Sequence, residues 1–429
     1  MEQQRKYIFL VIGSGGREHA LVWALQRSPL VGSVCVWPER PALGPAYRSI
    51  PSEARSPQQI LNWFEINMGQ TPDCVVIGPE APLMDGWADQ FTELGIAVVG
   101  PNQALAQLEG SKAFAKAFME RNGIPTAQYR SFTAAQQSEA LAYLATVRYP
   151  HVVKASGLAA GKGVVIAQTE AEAAEAVRHM LSGEAFGEAG SEIVLEEFLQ
   201  GEELSIFVLT DGTTYRILPT ARDHKRIGEG DTGPNTGGMG AIAPAPAADP
   251  EFLQQVERQV ILPTLHGLRQ ISPKPYQGFI FIGLMRVGNI PYVLEYNVRM
   301  GDPETQAVFP LIESDVAELL LATATGRLGS SPIRIKPEAA CTVVLASSGY
   351  PGSYETGKRI TGLPPESEDL LVFQAGVRLS DTNELLTAGG RVLAVTALAP
   401  TSAEARAKAL HAADNISFEN KYFRRDIGA

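Results

Sequence analysis

The stretch LEYNVRMGDPETQ, residues 294 to 306, places an acid and an amide, Glu295 and Asn297, two positions apart on what reads as a strand. Successive strand side chains point to opposite faces, so these two share one face. Two hard oxygen ligands side by side suit Mg²⁺, which takes its other ligands from substrate phosphates and water. Arg299 continues that face, within reach of a phosphate or a carboxylate. Leu294, Tyr296 and Val298 fall on the opposite face, which their apolar character makes the buried one. The blander alternative is a polar strand face that simply meets water.

Three further stretches carry compatible chemistry. In VVKASGLAAGKGVVI, residues 152 to 166, Lys154 ends one strand and Lys162 precedes the next, with Gly157, Gly161 and Gly163 between or beside them. Glycines admit phosphate oxygens to backbone N–H groups, and flanking lysines neutralise charge. No Ser or Thr follows the lysine and a strand follows the loop, so this is not a Walker A motif. A glycine-rich hairpin with solvated lysines fits the residues about equally well. In EEFLQGEELS, residues 196 to 205, a strand end bearing Glu196, Glu197, Leu199 and Glu203 could hold an adenine by backbone groups and a ribose by a glutamate. Taken alone it also reads as a solvated acidic turn. The third stretch, residues 221 to 244, packs Asp223, His224, Lys225 and Arg226 together and then runs through Pro234, Asn235, Thr236, Gly237 and Gly238. Its glycines can turn amides toward an anion, and so long a polar segment reads as a functional lid. His224 by itself is a poor catalytic candidate.

The elements that must position these residues follow from periodicity. Up to about residue 110, the apolar runs YIFLVIG, SVCVW, CVVIG and IAVVG alternate with helical stretches at 17–27, 57–68 and 86–94. That alternation predicts a parallel, doubly wound sheet. Its first turn, VIGSGGREHAL, supplies Gly15 and Gly16 but sets Glu18 where a dinucleotide fingerprint needs its third glycine. The turn therefore reads as an anion site at a helix N-terminus for a ligand smaller than a dinucleotide. A helix at 112–122 ends at Gly123-Ile124-Pro125, a domain junction. Beyond it, a helix at 170–182, another at 250–270 and several strands predict a mixed, largely antiparallel sheet. After about residue 330, short strands and a helix at 402–413 form a small α+β domain.

Composition narrows the class. The 429 residues imply two to four domains, and 45% hydrophobic with 19% charged residues is a globular balance with no apolar run long enough to span a membrane. A net charge of −11 argues against a nucleic-acid surface. Three widely separated cysteines suggest neither disulfides nor zinc. MEQQRKY leads straight into a strand without a secretory pattern, so a cytoplasmic location is expected.

The set GREHAL, VVIGPEAPL, QLEGSKAF, GLAAGKGV, DHKR, DTGPNTGGMGA, EYNVRMGDPETQ and RRDIG resembles, in order and over nearly the whole chain, the phosphoribosylamine–glycine ligase family of the ATP-grasp superfamily. The resemblance implies an α/β and α+β multidomain chain. Its parts would be a Rossmann-like domain at 1–110, an ATP-grasp domain at 111–330 with a small nucleotide-covering lobe at about 125–195, and a C-terminal domain at 331–429. It implies a monomer that joins glycine to 5-phosphoribosylamine at the expense of ATP, with Mg²⁺ or Mn²⁺. In that reading Glu295 and Asn297 hold the metal, while Lys112, Lys154 and the Gly157–Gly163 loop, including Gly161 and Lys162, position the nucleotide. Glu196, Glu197 and Leu199 would meet the adenine and Glu203 the ribose. Arg299 and the 234–240 loop would meet the glycine carboxylate and its acyl phosphate. Asp302 and the Asp223–Arg226 cluster line the same pocket, and Gly15, Gly16, Arg17, Glu18 and Glu80 would meet phosphoribosylamine.

Three positions depart from the family pattern. Pro38-Glu39-Arg40-Pro41-Ala42-Leu43 replaces a P-G-N-x-G-T turn suited to cradling a ribose or phosphate, Ser156 replaces an aspartate, and Ile242 a tyrosine. A relative that transfers glycine or another small amino acid to a different amine is the second reading, and a non-catalytic nucleotide-binding relative the third.

Overall fold

The structure, a computed structural model, describes residues 5–39, 47–159, 163–183, 187–365 and 367–429. The N-terminal region builds β1 (Tyr7–Ile12), α1 (Gly16–Gln26), β2 (Val31–Trp37), β3 (Arg48–Ser49), α2 (Pro57–Met68), β4 (Cys74–Ile77), α3 (Glu80–Met84), α4 (Trp87–Glu93) and β5 (Ala97–Val99). All five strands are parallel, in the order β3-β2-β1-β4-β5. Helices cover both faces, which is why β1 and β4 are apolar at almost every position rather than alternating. The order reverses between β1 and β4, and a doubly wound sheet opens its ligand crevice there, beyond the strand ends. Gly13 to Arg17 and Gly78 to Glu80 occupy that place.

Two linking helices, α5 (Gln103–Gly110) and α6 (Lys112–Arg121), lead into a small lobe. It holds β6 (Tyr129–Thr133), α7 (Gln137–Leu144), β7 (His151–Ala155), β8 (Val164–Ala167), α8 (Glu170–Leu181) and β9 (Glu192–Glu197). Its antiparallel sheet, β6-β9-β7-β8, has its own core around Phe132, Leu144, Val153, Val177 and Leu195. A second antiparallel sheet follows from β10 (Glu202–Thr210), β11 (Tyr215–Ile217) and, later, β16 (Gly278–Val287) and β17 (Ile290–Asn297), ordered β11-β10-β16-β17. Both sheets are wholly antiparallel, so the mixed sheet expected from sequence resolves into two.

Between these strands the chain makes β12 (Arg222–Asp223), the hairpin β13 (Arg226–Gly228) and β14 (Thr232–Asn235), and β15 (Gly240–Ala243). The expected lid is therefore regular structure, and β15 pairs with the C-terminal sheet. The expected single helix at 250–270 is α9 (Pro250–Val256) and α10 (Leu262–Ile271) joined by a wide turn at Glu257–Ile261. Pro263, which lacks an N–H, sits just after that turn, where a widened helix tolerates it.

Short helices α11 (Glu304–Val308) and α12 (Val316–Ala324) lead to the C-terminal domain: β18 (Ala339–Ser347), β19 (Leu370–Gln374), β20 (Val377–Leu379), β21 (Leu385–Thr387), β22 (Arg391–Ala399), α13 (Ser402–Asn415) and β23 (Lys421–Tyr422). Its sheet runs β12-β15-β18-β22-β19, with β23 beside β18. The last residues fasten the hairpin. Arg424, only 1% exposed, donates to the Arg226 carbonyl at 2.9 Å and pairs with Asp231 at 2.9 Å and Asp426 at 2.7 Å. Among the described residues no helix is long and apolar enough to cross a membrane.

Candidate functional site

A cleft of about 1010 Å³ lies where the small lobe, the β10–β17 sheet, the crevice of the N-terminal domain and the start of β22 converge. Glu295 and Asn297 both line it; Tyr296 between them also borders it but is 3% exposed and packed in the core. The expectation for Leu294 is not met. Register slips between Gly283 and Leu284, so Leu294 is an extra, bulged residue and lines the cleft beside Glu295 instead of facing away. A bulge of this kind re-aims side chains at a site. Its displaced carbonyl accepts from Lys154 Nζ at 3.4 Å.

Carboxylates crowd this end of the cleft. Lys225 Nζ lies 2.5 Å from Glu203 and 3.6 Å from Glu295. Burial works against ionising Glu295, but Lys225, Lys154, Lys112 and Arg299 outweigh it and hold its carboxyl below the usual range. Asp223 and Glu304 are raised by burial; Glu203 and Glu295 add to the effect on Asp223, and Asp223 to that on Glu304. An excess of buried acid around one ionised carboxylate is relieved by a bound cation. Among the described residues no group of three or more His, Cys, Asp and Glu preforms a metal cage. Glu295 and Asn297 thus fit a hard cation that draws most of its ligands from phosphates and water.

The lysine end is held by one carboxylate. Val152 pairs with Glu196 and Lys154 with Val194, so Lys154 and Glu196 sit diagonally on one face of β7 and β9. Lys154 and Lys116 each come within 3.0 Å of Glu196, which is 2% exposed. Burial would raise the Glu196 carboxyl, yet the two lysines pull it below its ordinary value. Burial likewise pushes Lys116 down to about 8 despite Glu196. The side chain of Glu196 is therefore committed to these lysines, leaving only backbone groups of this strand end to meet a base. Lys116 was missed in the sequence; its signal is its place four residues after Lys112, on the same face of α6. Lys112 Nζ donates to the Gly157 carbonyl at 3.2 Å. Ser156, one of the departures, is buried and its Oγ accepts from the Ala113 N–H at 3.1 Å, tying α6 to the loop. Gly163, Glu197 and Leu199 line the cleft, while Gly161 and Lys162 lie outside the described residues.

At the crevice of the N-terminal domain the anion-site expectation needs correction. Glu18 is 2% exposed, and its carboxylate accepts from the Gly15 N–H at 2.6 Å and from Arg17 Nε at 2.6 Å. It is the third residue of α1 reaching back to cap the helix. A Cβ on Gly13 would come 2.7 Å from that carboxylate and one on Gly15 2.8 Å, so these glycines make room for Glu18, while Gly16 makes room for Gln306, 2.5 Å from its Cβ position. Gly15, Gly16 and Glu18 therefore stand behind the cleft, and Arg17 and Glu80 line it. Arg299 spans the gap to the next domain, 2.7 Å from Glu109 and 3.5 Å from Glu80, and donates to Asn297 Oδ1 at 3.1 Å. Glu109 lies inside the QLEGSKAF stretch but was not singled out there, because its ion-pair partner Arg299 lies far away in sequence. Of the departing turn, Arg40 to Leu43 lie outside the described residues.

The 234–240 loop also differs from expectation. Its amides do not face an anion: Thr236 donates to the Lys225 carbonyl (2.7 Å), Gly237 to Tyr350 Oη (3.1 Å), Gly238 to Thr236 Oγ1 (2.9 Å) and Met239 to the His224 carbonyl (2.8 Å). A connection this enclosed must satisfy its own backbone. Asn235, Thr236 and Gly237 line the cleft, and Pro234 and Gly238 do not. Asp223, Lys225 and Asp302 line it as well. His224 does not. Extended backbone alternates sides, so His224 turns into the C-terminal domain, where its Nε2 accepts from the Gly428 N–H at 3.2 Å. Ile242 is likewise buried in that domain's core, away from the cleft.

His224 carries a prediction. Burial, with Arg222 and Arg424 nearby, pushes its pKa down from 6.5 to about 4. As pH falls through that window the unfolded chain takes up a proton that the folded one refuses, so stability falls by up to about 3 kcal/mol. Urea unfolding at pH 7 and pH 4.5 should show a smaller acid loss for His224→Gln than for the unaltered chain. Equal losses would remove His224 as the cause.

Comparison with known proteins completes the description. The phosphoribosylglycinamide synthetase N domain profile matches residues 8–109, its ATP-grasp (A) domain profile residues 110–305, and its C domain profile residues 340–429. A phosphoribosylamine–glycine ligase of Chlorobaculum tepidum is 49% identical over 426 residues, 98% of this chain and 99% of the relative. The crystal structure of phosphoribosylamine–glycine ligase from Thermotoga maritima superposes with a TM-score of 0.84 at 36% identity, covering 98% of this chain and 100% of that one. A biotin carboxylase from Campylobacter jejuni shares the fold at 15% identity and a TM-score of 0.73, covering 99% of this chain and 94% of that one.

Proposed function

This chain belongs to the phosphoribosylamine–glycine ligase family, and we propose that its cleft performs the family reaction through a glycyl phosphate intermediate. It is an ATP-grasp ligase of purine biosynthesis that joins glycine to 5-phosphoribosylamine, giving glycinamide ribonucleotide, ADP and phosphate. The observation that carries the mechanistic reading is the division of one cleft into a lysine end and an acid end that meet at Glu295.

A glycine carboxylate is a poor electrophile. One of its oxygens attacks the γ-phosphorus of ATP, the bond to the β,γ-bridging oxygen breaks, and ADP leaves. The amine of phosphoribosylamine then adds to the acyl carbon, and phosphate departs with the carboxylate oxygen while the amine loses its proton. Lys112, Lys116 and Lys154 hold the ATP phosphates, and the strand end at Glu197 to Leu199 holds the base by backbone groups. Glu203 is placed for the ribose. Glu295 and Asn297 would hold a divalent cation, Mg²⁺ or Mn²⁺, which when bound would supply charge neutralisation to the transferring phosphoryl group. Because the loop amides are internally committed, charge on the acyl phosphate falls to side chains. Arg299 is held in place by Glu109 and Glu80, and Lys225 is raised well above its usual pKa by Asp223, Glu203 and Glu295 despite burial, so it stays cationic. Arg17 and Glu80 face the amine substrate. Their neighbour Asp302 is held ionised against burial by Arg391 and Arg17.

The reading extends to a cytoplasmic monomer. Three buried free cysteines suit a reducing compartment. The test is ADP release with ATP, glycine and a panel of amines that includes phosphoribosylamine generated in situ. Turnover should need glycine and phosphoribosylamine together. Turnover only with a different amine would contradict the assignment.

A further inference from the structure

Arg391, the first residue of β22, brings a side chain of the C-terminal domain into the cleft wall. Its Nη1 donates to the carbonyls of Gly237 and Asp302 at 2.6 Å each and more weakly to Gly238 at 3.4 Å. Its Nη2 pairs with the Asp302 carboxylate at 3.1 Å, and the two side chains are 20% and 18% exposed. Tyr350, from the same domain, receives the Gly237 N–H. A Cβ on Gly237 would stand 2.9 Å from the guanidinium carbon, so glycine at that position is what lets the cation approach.

These contacts have a consistent sense. The amides of Thr236 to Met239 are bound on one side, and Arg391 binds the carbonyls of the same loop on the other, which fixes its peptide planes from both directions. The same guanidinium grips Asp302 by both its carbonyl and its carboxylate. A guanidinium offers donors in one rigid plane, so three carbonyls and a carboxylate sharing it are held at set angles that an ammonium could not impose. Nη1 is turned to backbone carbonyls and Nη2 to the Asp302 carboxylate, so these contacts hold the neighbours of Arg391 in place. The three lysines of the nucleotide end come from α6 and the small lobe, and none contacts it.

We propose that Arg391 is a positioning residue for the glycine and phosphoribosylamine end of the cleft, setting Asp302 and the 236–238 loop while leaving nucleotide binding unaffected. The proposal rests on the proposed placement of glycine and phosphoribosylamine at the Arg299, Arg17 and Asp302 end of the cleft, whose wall Asn235, Thr236 and Gly237 share.

The experiment uses the full chain with Arg391→Lys, Arg391→Gln and Tyr350→Phe, each assayed for ADP release with one of the three substrates varied at a time. Arg391→Lys keeps the charge and cannot span the carbonyls. KM for glycine or for phosphoribosylamine should rise roughly tenfold or more, with KM for ATP within about twofold and the urea midpoint nearly unchanged. Tyr350→Phe should move the same constants in the same direction by less. A proportional rise in all three KM values, or unchanged values in a folded Arg391→Lys variant, would overturn the proposal. Failure of the underlying reading has its own signature, ADP release by the unaltered protein that does not depend on glycine, and it would overturn the proposal too.

Discussion

Glu295→Ala should lower glycine-dependent ADP release by on the order of 10³-fold, because the site loses its ionised oxygen ligand. The effect is large for a second reason. Glu295 is also the carboxylate that faces Lys225, Lys154 and Lys112 across the cleft. Its removal leaves these cations without a common partner where the γ-phosphoryl group must transfer. The dependence on divalent metal should weaken with the rate, and excess Mg²⁺ should not restore it, since the ligand itself is missing. Steady-state ADP release across a Mg²⁺ titration reads both effects. A variant within about tenfold of the unaltered enzyme would show that Glu295 is not the metal's anchor.

Glu196→Ala should cost about 3–5 kcal/mol of stability, because it strands two lysines in a buried site. Lys116 is 2% exposed, and among the described residues its Nζ otherwise meets only Thr126 Oγ1, at 2.7 Å, and the Tyr129 ring. Burial already lowers its pKa with Glu196 present, so without the carboxylate it has still less reason to stay charged. Urea unfolding measures the loss. Adding Lys116→Met should recover part of it, since the remaining lysine, Lys154, keeps the Leu294 carbonyl as partner. The same variant should raise KM for ATP, because both lysines lose the group that fixes their position. A loss below about 1 kcal/mol would mean that water reaches the pair and that the cluster does not organise the nucleotide end.

Local spacing made part of this site legible. Strand alternation is enough to put Glu295 and Asn297 on one face, and apolar runs separated by helices are enough to specify the parallel sheet. The charged cluster that the resemblance puts in one pocket divides: Asp223, Lys225 and Arg226 line the cleft while His224 turns into the domain behind it. Leu294 escaped for a related reason. A bulge is a property of two paired strands, and nothing in β17 alone announces the slip against β16. Glu18 was read as a residue facing a ligand because a carboxylate at a helix start is compatible with two roles, and the choice between them depends on whether the neighbouring glycines leave a cavity or fill it. The ion pairs of Arg391 and Glu109 were invisible for a stronger reason. Their partners lie about 90 to 190 residues away, and an ion pair between domains leaves no periodicity in either segment.

The central claim is that glycine is activated by phosphorylation of its own carboxylate. It is tested by running the reaction with glycine labelled with ¹⁸O in both carboxylate oxygens and recovering the inorganic phosphate for mass analysis. Attack of the carboxylate on the γ-phosphorus, followed by displacement by the amine, predicts one ¹⁸O in every phosphate released. Phosphate without label, formed alongside labelled glycinamide ribonucleotide, would contradict the acyl phosphate and the roles given to Arg299 and Lys225 around it.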